Sequence, residues 1–354
     1  MNIGVYTECL SKPYTGVERQ THFLVDGLSK SKNEVTCFHS RNSKHPSFSN
    51  VNHHLFRKAL PIPFYHRFAA LFHNRCFDNL DVLHLPSPQF PYVRKPNVPV
   101  VVTIHDLIPL FMPQFHNWKR AVYFKKVLPW YLRKVDAIVA VSEATKRDIV
   151  KYYRISPDKI TVVHDALPEI NYKKVKKEPF ILYLGTLEPR KNIEGLIMAF
   201  ALLKSRGFNK KLVIAGGKGW KYNSIFNLVK RLRLQNDVIF KGYVTDEEMD
   251  SLHGKAALFV YPSFYEGFGL SVLDAMAHGT PVVTSNVSSL PEVVGDAGIL
   301  VNPYDVHSIA DGILEALDSN IYDVLVKRGL ERAKLFTQKR MIDGIIDVYR
   351  GVVK

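Results

Sequence analysis

Cysteine is scarce in this chain. Its 354 residues hold three, Cys9, Cys37 and Cys76. They are odd in number and show no CxxC spacing. That excludes a disulfide scaffold and a Cys-rich zinc module, and it suits a reducing compartment. Long apolar runs are missing too: the stretch 137–141 falls far short of the about 18 residues of a spanning helix. The segment MNIGVYTECL has no basic region followed by an apolar core, so it does not read as a signal peptide, and a cytoplasmic location is expected. There is no low-complexity tract and no short repeat. No GxGxxG follows a strand, which leaves a dinucleotide dehydrogenase unsupported.

What the chain has is positive charge, unevenly placed. The formal net charge is +15, with +12 in residues 1–175 and +3 in residues 176–354. Eleven of the 14 histidines also lie in the first half. An anionic partner is therefore expected to meet the first half. With 46% hydrophobic and 12% aromatic residues the chain can bury a sizeable core, and its length suits two domains.

Short Val- and Ile-rich runs alternate with amphipathic stretches throughout. The runs at 3–6, 35–38, 82–85, 98–104, 137–141 and 160–163, and again at 180–184, 212–215, 238–240, 258–261, 281–284 and 298–301, suit strands buried on both faces of a parallel sheet. Helices are expected between them, at 17–29, 118–133 and 142–152 with Ser142 as N-cap. In the second half they are expected at 193–204, 222–234, 246–255, 271–277, 305–317 and 321–335. This alternation predicts two doubly wound α/β domains, 1–170 and 180–336, joined by a lysine-rich linker at 171–179. Such folds bind ligands at the carboxyl edge of the sheet.

Four strings stand at that edge. In Leu184-Gly185-Thr186-Leu187-Glu188-Pro189-Arg190-Lys191-Asn192, two cations precede a helix start, where the helix dipole disfavours them unless an anion lies between. Arg gives a planar fork for phosphate oxygens and Lys a point charge, and together they can neutralise a departing diphosphate. In Tyr261-Pro262-Ser263-Phe264-Tyr265-Glu266-Gly267-Phe268-Gly269-Leu270, the two glycines allow close backbone approach, and Glu266 stands at the mouth of a helix carrying Asp274. In Thr103-Ile104-His105-Asp106, His105 directly follows an apolar strand. Gly16 precedes the first helix in Tyr14-Thr15-Gly16. The glycines Gly216-Gly217 and Gly242 are weaker signals at the same edge.

Together these strings resemble the retaining glycosyltransferases of family 4, which have the GT-B fold, two Rossmann-like domains facing across a cleft. Glu266 followed at a seven-residue interval by an acid resembles that family's paired-glutamate signature in its EGFGL context. GTLEPRKN and HDLIPL resemble loops of its mannosyltransferase-rich branch. The resemblance implies that Arg190 and Lys191 bind the diphosphate of a nucleotide-sugar donor and that Glu266 contacts hydroxyls of the transferred sugar. It implies that Gly267, Phe268, Gly269 and Leu270 lie against sugar and phosphate, that Asp274 holds the ribose and that Val244 meets the base. Gly16 would admit the diphosphate, His105 would face the sugar, and the last helix, 337–354, would cross back onto the first domain. Catalytic roles fall to His105 and Glu266. Three positions depart from the family pattern: Asp274 is one methylene shorter than Glu, Thr15-Gly16 replaces Gly-Gly, and Thr186 stands where many members have Arg.

The activity implied is retaining transfer of a hexose, mannose favoured, from GDP-mannose, with UDP- or dTDP-sugars as the alternative donors. The acceptor would be a glycan or a polyprenyl-diphosphate-linked glycan of a cell-surface polysaccharide such as lipopolysaccharide. No cofactor and no metal is expected, because the leaving phosphate takes the acceptor's proton and cations do the work of Mg²⁺. The segment 118–134 interleaves six cations with Trp118, Tyr123, Phe124, Trp130 and Tyr131, and residues 55–75 are also basic and aromatic. Such faces suit the anionic inner surface of the cytoplasmic membrane, at about 1 kcal/mol per nearby cation. Nucleic acid is the rival polyanion, and no binding motif supports it.

Overall fold

The computed structural model of the chain describes residues 1–11, 16–40, 48–56, 74–90, 95–113, 118–170 and 172–353. It divides into two compact units, Met1–Pro168 with Thr337–Lys354, and Glu169–Phe336. The first carries a seven-stranded parallel sheet: β1 (Asn2–Tyr6), β2 (Glu34–Ser40), β3 (Val51–Phe56), β4 (Val82–Leu85), β5 (Val100–Ile104), β6 (Ala137–Ala140) and β7 (Ile160–Val162). Their order is β3-β2-β1-β4-β5-β6-β7, so the winding reverses between β1 and β4. Strands β4, β5 and β6 are buried along their whole length, as largely apolar runs inside a parallel sheet require.

Strand β3 has no counterpart in the expected set. Its sequence, Val-Asn-His-His-Leu-Phe, is polar because it is the edge strand and pairs only with β2. The helix expected at 118–133 forms, but with a five-residue π turn, Tyr123–Val127, between Trp118–Val122 and Leu128–Lys134. Pro129 lacks an N–H and stands in the first turn of the last segment, and the widened turn before it accommodates the ring. Ser142 caps Glu143–Tyr153 by accepting the Thr145 N–H.

The final helix, Gln338–Val352, belongs to the first unit. Its Met341, Ile342, Ile345, Val348 and Tyr349 join the core formed by β1, β2 and the helix Gly16–Ser29. A methyl group on Gly27 would come within 2.5 Å of Ile342, so the absent side chain sets how closely these two helices approach. The Tyr349 hydroxyl lies 2.6 Å from His84 Nδ1, and His84 Nε2 lies 2.8 Å from Thr103 Oγ1. Burial, with the charge of His105 adding to it, pushes the His84 imidazole down to about 3, so this ring is neutral and bonded on both nitrogens.

The second unit has a six-stranded parallel sheet: β8 (Glu178–Leu184), β9 (Lys211–Ala215), β10 (Val238–Gly242), β11 (Ala256–Tyr261), β12 (Val282–Ser285) and β13 (Ile299–Val301). The order β10-β9-β8-β11-β12-β13 reverses between β8 and β11. Glu178 and Pro179, drawn into the linker for their charge and ring, are instead the first residues of β8, a position that tolerates proline. Gly185, Gly216 and Gly242 lace three strand ends together: Gly185 N–H donates to Ala215 O at 3.0 Å and Gly216 N–H to Gly242 O at 2.7 Å. Gly216 has φ +139°, and a Cβ there would lie 2.0 Å from the Gly185 carbonyl. These glycines hold the strand ends at contact distance. No helix among the described residues is long and apolar enough to cross a membrane.

Replacing Tyr349 with Phe removes one partner of a fully buried imidazole while keeping the ring. The expected cost is about 1–3 kcal/mol, read as a lower denaturation midpoint for the first unit. An unchanged midpoint would show that the helix is held by apolar packing alone.

Candidate active site

The loops leaving β8 and β11 meet at the point where the second sheet's winding reverses. This is the place at which an open α/β sheet leaves a crevice beyond its strand ends. The β8 loop turns through a short 3₁₀ segment, Pro189–Lys191, and Asn192 then caps the helix Ile193–Ser205 with φ +55°. Asn192 anchors this turn by donating to Pro303 O at 2.6 Å. The two cations thus stand on the turn before the helix rather than in its first turn.

The anion between them is Glu266. Lys191 Nζ lies 2.7 Å from its Oε1, and Arg190 Nη1 lies 2.9 Å from its Oε2. Arg190 also donates to Tyr265 O at 2.6 Å through Nη1 and to Glu188 Oε1 at 2.6 Å through Nη2. Lys191 donates to the Tyr261 hydroxyl at 2.5 Å, and Ser263 Oγ donates to Glu266 Oε1 at 2.5 Å. Lys191 and Glu266 are buried, Glu266 at only 8% exposure, while Arg190 and Glu188 are partly buried. Burial by itself would push the Glu266 carboxyl up. Arg190, then Lys191, outweigh it and bring the carboxyl down to about 2. Burial and the neighbouring guanidinium together push the Lys191 ammonium down from the usual lysine range.

Backbone bonds fix the Glu266 loop from three sides. Phe264 N–H donates to Arg190 O at 3.0 Å, which ties the two loops directly. Glu266 N–H donates to Ser288 Oγ at 3.0 Å, Ser285 Oγ donates to Ser263 O at 2.7 Å, and Ser289 Oγ to Phe268 O at 2.6 Å. Gly269, with φ +127°, caps the helix Leu270–Ala277, and a Cβ there would press on Leu290. Gly267 and Phe268 are buried, Leu270 is half-buried, and Asp274 is buried within the same helix. Val244 lies between β10 and the helix Asp246–Lys255, whose Thr245 and Glu248 form a reciprocal N-terminal cap. It lines a cleft of about 600 Å³ floored by Phe180, Val213 and Ile239, whose lining includes none of Arg190, Lys191 and Glu266.

The remaining two residues lie in the first unit. Gly16 is exposed and begins the helix Gly16–Ser29; Tyr14 and Thr15 lie outside the described residues. His105 follows β5, one strand away from the β1–β4 reversal of that sheet. Its Nε2 lies 2.9 Å from Pro86 O, just beyond β4, and its Nδ1 lies 3.7 Å from Asp165 Oδ2, beyond β7. Burial acts against its charge, but the Asp165 carboxylate outweighs it and raises the imidazole above the usual histidine range. A water-sized cavity of about 30 Å³ adjoins it, lined by Gln20, His84, Pro86 and Asp165 among others.

Sequence reading finds the cations and the acid but misses their supports. Glu188, Tyr261 and Ser263 are in the strings without a role, and Asp165 sits unremarked in Val163-His164-Asp165-Ala166. The signal available for each is its place at or just beyond a strand's carboxyl end.

The low Glu266 value has a consequence for stability. A carboxyl held below its ordinary 4.5 contributes fully above that pH and loses its contribution as pH falls toward about 2. The melting-temperature difference between the protein and Glu266→Gln is expected to be largest above pH about 4.5 and to shrink toward pH about 2. A difference independent of pH across that window would show that the ion cluster does not support the fold.

Two family models match. The one described as "Glycosyl transferases group 1" covers residues 169–332, and "Glycosyltransferase Family 4" covers residues 14–167. The Escherichia coli O-antigen chain mannosyltransferase B is 33% identical over 99% of this chain and 100% of its own length. Among solved structures, sucrose-phosphate synthase from Thermosynechococcus elongatus matches with a TM-score of 0.78 at 21% identity, over 99% of this chain and 98% of that one. Anabaena HepE, in complex with UDP-glucose, matches with a TM-score of 0.76 at 16% identity, over 99% and 100%. At those identities the structures speak for the fold, and the family rests on the models and the E. coli relative. With both halves matched and both sheets doubly wound, the chain belongs to the glycosyltransferases of these two models and has the GT-B fold.

Proposed function

We propose that this glycosyltransferase moves mannose, with retention of configuration, from GDP-mannose to a glycan or polyprenyl-diphosphate-linked acceptor during synthesis of a cell-surface polysaccharide. The observation that carries the reading is the largely buried cluster of Arg190, Lys191 and Glu266 at the β8–β11 reversal. The mannose assignment is supported by the full-length likeness to an O-antigen mannosyltransferase.

In this reading Arg190 and Lys191 hold the donor diphosphate and neutralise it as it leaves. Each cation at about 4 Å gains about 4 kcal/mol at an effective dielectric of about 20. Two fixed cations supply what a divalent metal supplies elsewhere, and the reaction proceeds without one. Glu266 accepts hydrogen bonds from sugar hydroxyls, and Gly267, Phe268, Gly269 and Leu270 line the sugar and phosphate. Asp274 takes the ribose and Val244 the base; Gly16 admits the diphosphate to the first unit's loop. His105, held by Pro86 and Asp165, faces the transferred sugar. The leaving phosphate takes the acceptor's proton.

The exposed cationic and aromatic side of 118–134 is the proposed contact with an anionic membrane at the cytoplasmic face. Trp118 is 69% and Trp130 43% exposed, and the Lys134 ammonium sits 3.4 Å from the Trp130 ring centroid. Six cations and no acid lie along it. Of the second basic stretch, 55–75, residues 57–73 lie outside the described residues.

Lys191→Ala and Glu266→Ala are each expected to lower GDP-mannose consumption by at least about 100-fold, the scale for losing one preorganised charge contact. Near-normal turnover in both would overturn the site assignment, and faster turnover with UDP- or dTDP-sugars would overturn the donor. The rate should be unchanged by EDTA, and NMR of the product should show the donor's anomeric configuration. Sedimentation with anionic liposomes at low salt should weaken in a Trp118→Ala, Trp130→Ala double variant; no sedimentation of the parent protein would rule out the membrane contact.

A further inference from the structure

We infer that Glu266 is an internal competitor for the donor's diphosphate, and that this competition makes the site select the intact sugar nucleotide over the free nucleoside diphosphate. The inference rests on the reading above, in which Arg190 and Lys191 take the diphosphate.

Charge counting comes first. The cluster of Glu188, Arg190, Lys191 and Glu266 holds two cations and two carboxylates and is neutral as built. Five of the eight N–H donors that these two cations carry are already engaged. Arg190 Nη1 serves Glu266 and Tyr265 O, Nη2 serves Glu188, and Lys191 Nζ serves Glu266 and Tyr261. A diphosphate brings at least about two further negative charges to the same atoms. Like charges in a buried site do not share it, so the Glu266 carboxylate must give way.

Glu266 is the member built to do so. Arg190 is held by a backbone carbonyl as well as by Glu188, and Lys191 by Tyr261, so both cations keep their places when Glu266 turns away. The backbone of Glu266 stays fixed, because Ser288 accepts its N–H and Ser289 lies 3.0 Å from its carbonyl. Only the side chain moves.

The cost of that movement depends on the ligand. A buried carboxylate parted from two cations must find new hydrogen-bond donors or remain unpaired at high cost. A hexose carries hydroxyl donors next to its diphosphate, whereas a free nucleoside diphosphate carries none there. The sugar nucleotide therefore compensates the displaced Glu266 and the product does not. After transfer, Glu266 returns to its cations and helps to expel the nucleoside diphosphate.

The test is isothermal titration of GDP, GDP-mannose and inorganic pyrophosphate into the protein and into Glu266→Gln, Glu188→Gln and Lys191→Ala. Glu266→Gln should bind GDP and pyrophosphate at least about tenfold more tightly than the parent, the worth of one freed charge-assisted contact. Its preference for GDP-mannose over GDP should collapse, while Glu188→Gln keeps that preference. If Glu266→Gln binds GDP no more tightly, or if Glu188→Gln loses the preference equally, the inference is wrong. Lys191→Ala separates the two levels: if it leaves GDP and pyrophosphate binding intact, the diphosphate assignment itself fails. Should Glu266→Gln not fold, Glu266→Ala and the GDP-against-GDP-mannose ratio of the parent protein carry the same comparison. A parent that binds GDP as tightly as GDP-mannose overturns the inference without any variant.

Discussion

A charge taken out of water needs a partner of opposite sign at contact distance, and in the second unit this requirement organises the whole carboxyl edge. Lys191 is buried and Arg190 partly buried on one turn, where Glu188 meets Arg190 alone, so Lys191 takes its carboxylate from another element. Glu266 supplies it, from a loop 75 residues away in sequence. Everything adjoining serves to keep that meeting in register. The β8–β11 pairing brings the two loops side by side, and the Phe264 bond to Arg190 O joins them. The serines at the end of β12 and just beyond it satisfy the polar backbone of the Glu266 loop. Beneath it, Tyr183 and Tyr261 stack with ring centroids 5.7 Å apart, and Tyr261 turns its hydroxyl to Lys191.

The first unit handles its charge in the opposite way. Along 118–134 its positive charge is solvated: Lys125, Lys126, Arg133 and Lys134 are exposed. Among the described residues, His105 is drawn inward and pairs with Asp165 beyond the ends of β5 and β7. One unit therefore aims a few charges and the other spreads many. The first arrangement suits discrimination among small ligands, and the second suits a broad anionic surface whose hold weakens with salt.

Much of this is legible in the residues alone. Predominantly apolar runs announce β1, β4, β5, β6, β8, β9 and β11, because strands buried on both faces admit polar residues only where these find partners, as His84 and Thr103 do in each other. Ser142 announces its helix because capping is local chemistry. The edge strand β3 is hidden for the converse reason: half of it faces solvent, and its His and Asn residues erase the pattern. At the site, the cations and the acid stand out for their type and their place after strands. Their pairing with each other does not, since it depends on β8 lying next to β11, which strand order decides and linear spacing does not. Asp165 escapes notice for the same reason, as it reaches His105 only through the order β5-β6-β7. Of the weaker glycine signals, Gly216 brings two strand ends into contact, where a Cβ would meet the Gly185 carbonyl.

The division of the chain also sets an order of assembly. The second unit is one continuous stretch, Glu169–Phe336, whereas the first is completed only by Thr337–Lys354. At about 5–20 residues per second, a ribosome needs about 10–30 s to pass from the end of β7's segment to the helix Gln338–Val352. Through that interval β1, β2 and the helix Gly16–Ser29 lack the Ile342, Ile345 and Tyr349 side chains that later cover them. The unit synthesised first is therefore the last to close, and its open apolar face is where nascent-chain aggregation competes with folding.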